Sequence, residues 1–546
     1  MQISWADTAI IVAYIVGILA LGCWAGLRRR ARDKADEYFL AGKTLRWPVI
    51  GLALFATNIS TVHLVSLAEE GYTNGLAYGN FEWMAPFTLI ALALFFAPFY
   101  IRSGVATLPD FLEKRYSRAS RDWLAILSII SAIFIHIGFS LYAGATVLEG
   151  LFGIPKMWSI VLIAAITGLY TMVGGLMAVV LTESVQTIIL LAGAFVLTAI
   201  SLVKVGGWSE LAQQVDPVKL TVLRPAGDAS GLPWYSVFLG YPIIGIWYWC
   251  TDQTIVQRVL GAKDENHART GALFAGFIKI LPVFIFVLPG LVCLALIAKG
   301  VIPPLPLNEA GQPDAALTYS HMIGTLLPVG LQGVVAAALM AALMSTVSGA
   351  LNSAATLFSY DLYKRWAPGT SEDKLVMIGR IVTFVAMVLA VVWSPLCGRF
   401  LTVFQGINAA ISYLAPPITV VFVAGVFWRR ASSKASFITL ITGSAVGFVV
   451  FLLDFSKLLA GFKTAHPSFG FLNFMVISFL LACLCGAVMI VLSLAFPDEP
   501  TEQKMALVWK SPLEPLREKG WPGLGNYKFL SALLALTMIV LYVVFR

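Results

Sequence analysis

Long apolar blocks separated by short polar stretches dominate this sequence of 546 residues. The first block, residues 9–27, contains no charged side chain, and a helix of about 20 such residues can cross a bilayer. Successive blocks of this kind predict an all-α polytopic membrane protein with fourteen transmembrane spans. We centre the spans near residues 18, 58, 92, 134, 166, 193, 246, 284, 345, 384, 414, 444, 485 and 537.

The composition excludes several classes of protein. Hydrophobic residues make up 59% of the chain and charged residues 12%, whereas soluble domains carry about 25% charged residues. A soluble enzyme and a disordered chain are both incompatible with this balance. The strands of outer-membrane barrels alternate over roughly 10 residues, which does not match these blocks. The six cysteines show no spacing typical of a metal site.

The net charge of +8 comes from basic residues in loops. Their distribution indicates how the chain is oriented in the membrane and does not indicate a surface that binds nucleic acid. Of the 37 Lys and Arg residues, 27 lie in loops after odd-numbered spans. The positive-inside rule therefore predicts that the N-terminus and the C-terminus are both outside a plasma membrane, with a bacterial inner membrane expected. These basic loops are residues 28–46, 102–121, 258–269, 364–380, 429–434 and 504–528.

The second span is interrupted by polar residues at its centre. Asn58, Ser60 and Thr61 compete with the backbone for hydrogen bonds and weaken a helix. A helix broken inside a membrane exposes carbonyl and amide groups, which are tolerated where they line a cavity or bind a ligand. His63 follows the interruption, and Glu82 opens the third span near the same depth.

The seventh span repeats this irregular design. Pro242 and Gly245 are expected to weaken the helix, and the aromatic run Trp247-Tyr248-Trp249 precedes Asp252. The two irregular spans are five helices apart, which indicates two inverted five-helix repeats with paired broken helices at the centre.

Polar side chains form a stripe along one face of the ninth span. Spacings of three and four residues place them on one side of a helix otherwise built from Ala, Leu and Met. Neutral oxygen donors of this kind suit a small alkali cation, although close helix packing also favours small residues. Thr346, next to Ser345, adds a second hydroxyl and favours the ion site. The stripe consists of Ser345, Ser348, Asn352, Thr356 and Ser359.

Six motifs occur in order along the chain: EYFLAGK from Glu37, ATNIS from Ala56, GNFEW from Gly79, GGLMAVVLTESVQ from Gly174, WYWCTDQTIVQR from Trp247 and ALMST from Ala342. In this order the motifs resemble the solute:sodium symporter family and its sodium–glucose cotransporter branch. The resemblance extends to about residue 455.

The resemblance implies a LeuT-type fold of two inverted five-helix repeats, with one preceding helix and three following helices. It also implies sodium-coupled uptake of a sugar by alternating access. The corresponding divisions are 1–46 (first helix and basic loop), 47–204 (first repeat), 205–235 (outer loop), 236–431 (second repeat) and 432–546 (last three helices, with the loop 498–527).

The resemblance further implies a sodium site between the first broken helix and the ninth span. Its oxygen ligands would come from Ala56, Ile59, Ala342, Ser345 and Thr346. Some relatives hold a second sodium ion, which here would use Glu183 and Ser348. Because Gly349 lacks one of the expected hydroxyls, we expect a single sodium ion.

The sugar contacts and gates are carried over in the same way. The sugar would contact Asn58, His63, Glu82, Tyr248, Trp249, Lys279 and Asn408, the last replacing a glutamine that is usual in the branch. An outer gate would consist of Leu67, Phe81 and Phe404, with Tyr248 as the inner lid.

The chemistry of these residues is consistent with a neutral sugar. A polyol needs directional donors and acceptors together with a flat apolar face, and Glu82 and Lys279 leave the site near neutrality. The same two residues are also consistent with a purely structural ion pair. The alternatives are a symporter of the same fold for an inositol, an amino acid or a vitamin, and a sugar-gated sensor or ion conductor. No nucleophile motif indicates an enzyme, and we expect a monomer or weak oligomer in the lipid bilayer.

Overall fold

The computed structural model describes residues 4–28, 35–228, 230–308, 311–399 and 403–546. Eleven helices in this part of the chain are long and apolar enough to cross a membrane, and Trp47–Asn58 is a shorter apolar helix. The prediction of an all-α polytopic protein is confirmed, while the count of fourteen spans stays a prediction. The principal helices are Trp5–Arg28, Trp47–Asn58, Thr61–Asn74, Ala85–Ala91, Ala97–Ser103, Arg118–Ile130, Gly138–Phe152, Lys156–Val205, Trp234–Ile246, Gln253–Leu260, Glu265–Ile278, Leu288–Ala298, Leu331–Leu357, Glu372–Trp393, Val403–Phe427, Ser433–Phe455, Phe474–Ala495 and Tyr527–Val544.

The helix Lys156–Val205 is bent within its GGL motif. Gly175 has φ 57° and ψ −156°, a conformation outside the helical region. A Cβ atom there would lie 2.5 Å from the carbonyl oxygen of Tyr38, so glycine is required on both counts. The break separates the segments that the sequence predicts as the fifth and sixth spans.

The helix Leu331–Leu357, which carries the polar stripe except for Ser359, lies at the centre of the fold. Every residue from Val335 to Leu357 is buried, because Lys156–Val205, Trp5–Arg28 and Glu372–Trp393 pack around it. The face of the helix opposite the stripe is therefore also packed against other helices and does not face lipid. We call this element the hydroxyl helix.

Asp7 caps the hydroxyl helix from the first helix of the chain. Its buried carboxylate accepts hydrogen bonds of 2.7 Å from the amides of Gly330 and Gly333. We expect Asp7→Ala to destabilise the protein by about 1–2 kcal/mol, since a helix N-terminus loses its charged cap. Thermal unfolding in detergent would show a lower midpoint for this variant. Asp7→Asn keeps an acceptor and should lie between it and wild type; an unchanged midpoint in Asp7→Ala would contradict the assignment.

Contacts among the described residues connect all six basic loops, and we call the end of the bundle where they meet the basic end. Arg102 pairs with Glu265 at 2.8 Å and thereby joins two of the loops. Not every charge counted there is a loop charge: Arg258 lies in the helix Gln253–Leu260 and is fully buried. The assignment of Arg258 to a loop is therefore wrong, because its guanidinium pairs with a carboxylate inside the bundle.

Candidate functional site

The first broken helix consists of Trp47–Asn58 and Thr61–Asn74, joined by two extended residues. Ile59 has ψ 101° and Ser60 has ψ 172°. Ser60 and His63 form a reciprocal cap, in which the amide of Ser60 donates to Nδ1 of His63 at 3.3 Å. This cap fixes the start of the second half of the helix at Ser60. The predicted break in the second span is confirmed.

Backbone and hydroxyl oxygens converge between the first broken helix and the hydroxyl helix. The Oγ of Ser345 lies 2.7 Å from the carbonyl oxygen of Ala56 and 2.9 Å from that of Ala342. The Oγ1 of Thr346 lies 3.1 Å from the carbonyl oxygen of Thr57. The structure thus brings together Ala56, Ala342, Ser345 and Thr346. Ile59 lies at the break itself, and Thr57 joins the group without having been predicted.

A polar network forms one wall of the central cavity. The ammonium group of Lys279 is ion-paired with Glu82, and it donates a hydrogen bond of 2.6 Å to Oδ1 of Asn58. The amide of Asn58 then donates to the hydroxyl of Tyr248 at 3.1 Å. Because Glu82 and Lys279 are each 1% exposed, their opposite charges must neutralise each other inside the bundle.

Lys279 is held in place by its surroundings on two sides. It is the C-cap residue of the helix Glu265–Ile278, and its ammonium group lies 5.6 Å from the ring centre of Trp249. The indole of Trp83 donates to the carbonyl of Ile280 at 3.2 Å, which fixes the chain just after the lysine. The segments that contain Glu82 and Lys279 are therefore connected by a hydrogen bond to the backbone as well as by the ion pair.

The cavity brings together the sugar-site residues implied by the resemblance. Six of the seven line it, and Lys279 stands behind Glu82 and Asn58. Ile407 and Ile411 supply apolar surface from the helix Val403–Phe427. The six lining residues are Asn58, His63, Glu82, Tyr248, Trp249 and Asn408.

The predicted gate residues have different positions. Phe81 lines the cavity and stacks on Tyr78, with ring centres 6.0 Å apart. Leu67 is fully buried in the first broken helix and is not among the residues that line the cavity. The side chain of Phe404 lies outside the described residues. Tyr248 lines the cavity while bonded to Asn58.

The second broken helix is interrupted at Asp252. The helix continues through Pro242 and Gly245, contrary to the expected weak point, and Asp252 adopts an extended conformation with ψ 123°. One carboxylate oxygen of Asp252 accepts from the amide of Thr254 at 2.6 Å, and the other lies 3.0 Å from Nε2 of His136. Side-chain capping of the new helix start, and not proline, thus sets the position of the break.

No sequence motif assigns a role to His136, although it is one of the few ionisable residues within the spans. It lines the cavity together with Ser140 and Tyr241. Its partner Asp252 is 116 positions away in the sequence, and no local pattern connects residues so far apart. An ionisable residue inside an apolar block was the one available signal.

The residues proposed for a second sodium ion are engaged with other groups. The carboxylate of Glu183 lies 2.6 Å from Nη2 of Arg258, and both side chains are fully buried. Thr57 donates to the same carboxylate at 2.8 Å, while Ser348 donates to the carbonyl of Ser345 at 3.0 Å. A Cβ atom on Gly349 would lie 2.4 Å from Nη2 of Arg258. The missing side chain at Gly349 is therefore the space that the guanidinium occupies.

Two solved structures share the fold. A substrate-bound, outward-open Na+-coupled sialic acid symporter superposes with a TM-score of 0.76 at 21% identity, covering 92% of this chain and 100% of the other. Mhp1, a nucleobase-cation-symport-1 family transporter in a closed conformation, superposes with a TM-score of 0.51 at 15% identity, covering 86% and 97%. These likenesses confirm the predicted LeuT-type fold.

Sequence comparisons identify nearer relatives. The chain is 34% identical to the sodium/glucose cotransporter 4 of Danio rerio, covering 92% of this chain and 81% of the relative. It is 36% identical to the sodium/mannose cotransporter of Bos taurus (93% and 89% covered) and 37% identical to the sodium/myo-inositol cotransporter 2 of Mus musculus (82% and 70%). Residues 38–443 match the sequence profile of the sodium:solute symporter family. The chain belongs to this family and is a sodium-coupled solute transporter, with sodium as its coupling ion, and not an enzyme.

Proposed function

We propose that this symporter carries a neutral sugar of the hexose type and couples its uptake to inward sodium movement. The observation that carries the proposal is the polar wall in which Glu82, Lys279, Asn58 and Tyr248 are connected. Its two charges cancel, so an uncharged ligand does not leave an isolated charge in the membrane interior. Glu82 can accept from the hydroxyls of a polyol, and the side chains of Asn58 and Tyr248, which also line the cavity, can donate to them. Lys279 stands behind this wall and holds Glu82 and Asn58 in place.

Aromatic and apolar groups complete the proposed sugar site. Trp249 and Tyr248 present rings to the cavity, and Ile407 and Ile411 line it from another helix. Small-molecule sites combine such apolar surface with a few polar groups that set orientation. A sugar ring has both an apolar face and directional hydroxyls, so it matches this combination.

The relatives support a polyol as the substrate but do not define which polyol is carried. The names of three relatives specify glucose, mannose and myo-inositol. Competition for sodium-driven uptake of labelled glucose by a panel of hexoses, myo-inositol and neutral amino acids would test the proposal. We expect hexoses to compete best. Competition by amino acids alone would overturn the sugar assignment, and competition by myo-inositol alone would narrow the class to inositols.

The proposed sodium site and the proposed sugar site share adjacent residues. The carbonyl of Thr57 faces Thr346, and the next residue, Asn58, holds Lys279 and Tyr248. An ion at Ala56, Ile59, Ala342, Ser345 and Thr346 would therefore fix the backbone that positions Asn58. Sodium raises sugar affinity in this account, and by linkage sugar raises sodium affinity by the same factor.

The transport cycle follows from this coupling. External sodium binds at the first broken helix and favours the outward-facing arrangement. Sugar then enters past an outer gate of Leu67, Phe81 and Phe404. The gate closes, and the core rearranges so that the site opens inward past Tyr248, which must release Asn58. At about −100 mV each sodium charge contributes about 2.3 kcal/mol in addition to its concentration gradient.

We expect one sodium ion per transport cycle. In this account the guanidinium of Arg258 supplies the positive charge beside Glu183 that a second sodium ion would otherwise provide. With no membrane potential, sugar accumulation should then rise in direct proportion to the sodium gradient. Proteoliposomes clamped at zero potential would measure this relation. Accumulation that rises with the square of the gradient would contradict the single-ion prediction.

The orientation proposed from the basic loops places the basic end in the cytoplasm. Both termini then lie outside, in a plasma membrane that we take to be a bacterial inner membrane. Labelling of a cysteine introduced near either terminus with a membrane-impermeant reagent, in intact cells, would test this placement.

A further inference from the structure

The loop between the last two helices lies across the basic end, and the sequence assigns it no role. We call residues 498–526 the strap. Its first residue, Asp498, accepts from the amide of Ser433 at 2.9 Å and from the ammonium of Lys504 at 2.7 Å. At its far end the hydroxyl of Tyr527 donates to the carbonyl of Pro515 at 2.5 Å. The strap is thus attached to the bundle at both ends.

Trp509 inserts the middle of the strap between two helices. Its side chain is buried, with 4% of its surface exposed. Its backbone amide donates to the carbonyl of Val426 at 3.0 Å, and its indole donates to the carbonyl of Phe95 at 3.0 Å. The indole packs on Phe99, with ring centres 4.4 Å apart. A single residue therefore links the helix that ends at Phe427 with the segment around Phe95.

Glu518 adds an ionic attachment beside Trp509. Its carboxylate lies 2.6 Å from Nη2 of Arg102 and is also ion-paired with Arg269. Arg269 is 1% exposed and stacks over the ring of Tyr527 at 4.2 Å. Two of its nitrogen atoms, Nε and Nη1, have no hydrogen-bond partner within the described residues. Glu518 therefore shares the neutralisation of this buried arginine with Glu265, whose carboxylate lies 2.5 Å from the same nitrogen, Nη2.

These attachments reach both walls of the central cavity. Phe95, Phe99 and Arg102 continue the segment that carries Glu82, and Arg269 lies on the helix whose C-cap is Lys279. On the other side, Val426 lies on the helix that carries Asn408. The strap therefore bridges the Glu82–Lys279 wall and the Asn408 wall at the basic end. Opening of the cavity toward this end requires the two walls to separate there.

We propose that the strap is a clasp that holds the two cavity walls together at the basic end and must release Trp509 in every transport cycle. The proposal rests on the alternating-access function proposed above. Its contacts stabilise the state closed at the basic end, so they set the equilibrium between the two access states. Weaker strap contacts favour the state that is open at the basic end, which does not bind external sodium. The apparent sodium affinity then falls in proportion to the fraction of protein in the outward-facing state.

A reversible cross-link tests the clasp directly. Trp509→Cys and Phe99→Cys, in a background in which the six native cysteines are replaced, can be joined by a short thiol-reactive linker that contains a reducible bond. We expect the cross-link to lower sodium-driven sugar uptake about tenfold or more, because an obligatory opening step is blocked, and reduction to restore it. Uptake that is unchanged by complete cross-linking would overturn the proposal.

A charge variant gives an independent test that does not depend on the cysteine pair. Glu518→Gln should raise the sodium concentration for half-maximal uptake about fivefold, through the shift in access states. Glu502→Gln is the matched control, since it removes the same charge from an exposed position of the strap and should match wild type. Equal sodium dependence in the two variants would overturn the proposal. If instead the proposed function is wrong, the wild-type protein itself will show no sodium-driven sugar uptake, before any variant is compared.

Discussion

Lys279→Ala is expected to abolish sugar uptake. The substitution leaves the carboxylate of Glu82 buried without a partner and removes the donor to Asn58. Removal of one member of a buried ion pair costs about 3–5 kcal/mol, which corresponds to roughly a 100- to 4,000-fold loss of kcat/KM. Initial rates of sodium-driven uptake in proteoliposomes, at equal protein content, would measure the loss.

A second lysine in the chain offers the control for this prediction. Lys299 pairs with Glu210 at 2.9 Å, and that pair is partly exposed. Lys299→Ala removes a surface ion pair and should change uptake less than twofold, since such pairs contribute about 0–1 kcal/mol. The double variant Lys279→Ala/Glu82→Gln removes the unpaired charge and should regain thermal stability without regaining uptake. Normal uptake in the double variant would show that the pair is structural only.

Ser345→Ala is expected to remove most of the sodium dependence of transport. Its Oγ lies within 2.9 Å of two backbone carbonyl oxygens that belong to the proposed ion site. Loss of one oxygen ligand to a cation should cost about 1.5–3 kcal/mol, by analogy with hydrogen bonds to charged groups. The sodium concentration for half-maximal uptake would then rise roughly 10- to 100-fold. Uptake measured across a sodium series, with choline replacing sodium, gives this value.

Ser348 provides the matched control on the same helix. It lies one turn from Ser345 and donates to the carbonyl of Ser345. In the single-ion account, Ser348→Ala keeps all proposed ligands and should shift the half-maximal sodium concentration less than threefold, within the cost of one neutral hydrogen bond. Equal shifts in the two variants would remove the assignment of Ser345. A large shift in Ser348→Ala alone would favour the second-ion position near Glu183.

The first break was predictable from the sequence because its cause is local. Asn58, Ser60 and His63 are neighbours, and polar residues in the middle of an apolar block are a direct signal of an interrupted helix. The second break was placed wrongly for the opposite reason. Pro242 lowers helix propensity, but the helix accommodates it, and the actual break at Asp252 depends on contacts with Thr254 and His136.

Charge patterns predicted which loops share one end of the bundle but not the partners of individual charges. The described parts of the basic loops do contact one another, through pairs such as Arg102 with Glu265 and Arg269 with Glu518. Arg258 was counted with the loop 258–269, and its buried partner Glu183 is 75 positions away in the sequence. Long-range pairs of this kind become visible only when the helices are packed.

The site residues came from a resemblance, and the fold explains why the residues lie together. Glu82 and Lys279 are 197 positions apart in the sequence and are joined across the bundle. No periodicity within either helix indicates that contact. The strap is the clearest case of what the sequence could not show, since Trp509 and Glu518 lie in a polar loop without a motif.

The central claim is that a sodium gradient drives sugar accumulation through this cavity. Proteoliposomes containing the purified protein, with an inward sodium gradient and labelled glucose outside, test it most directly. We expect internal glucose to rise above the external concentration and to fall back when a sodium ionophore removes the gradient. Glucose that only equilibrates, at the same rate with potassium in place of sodium, would contradict it.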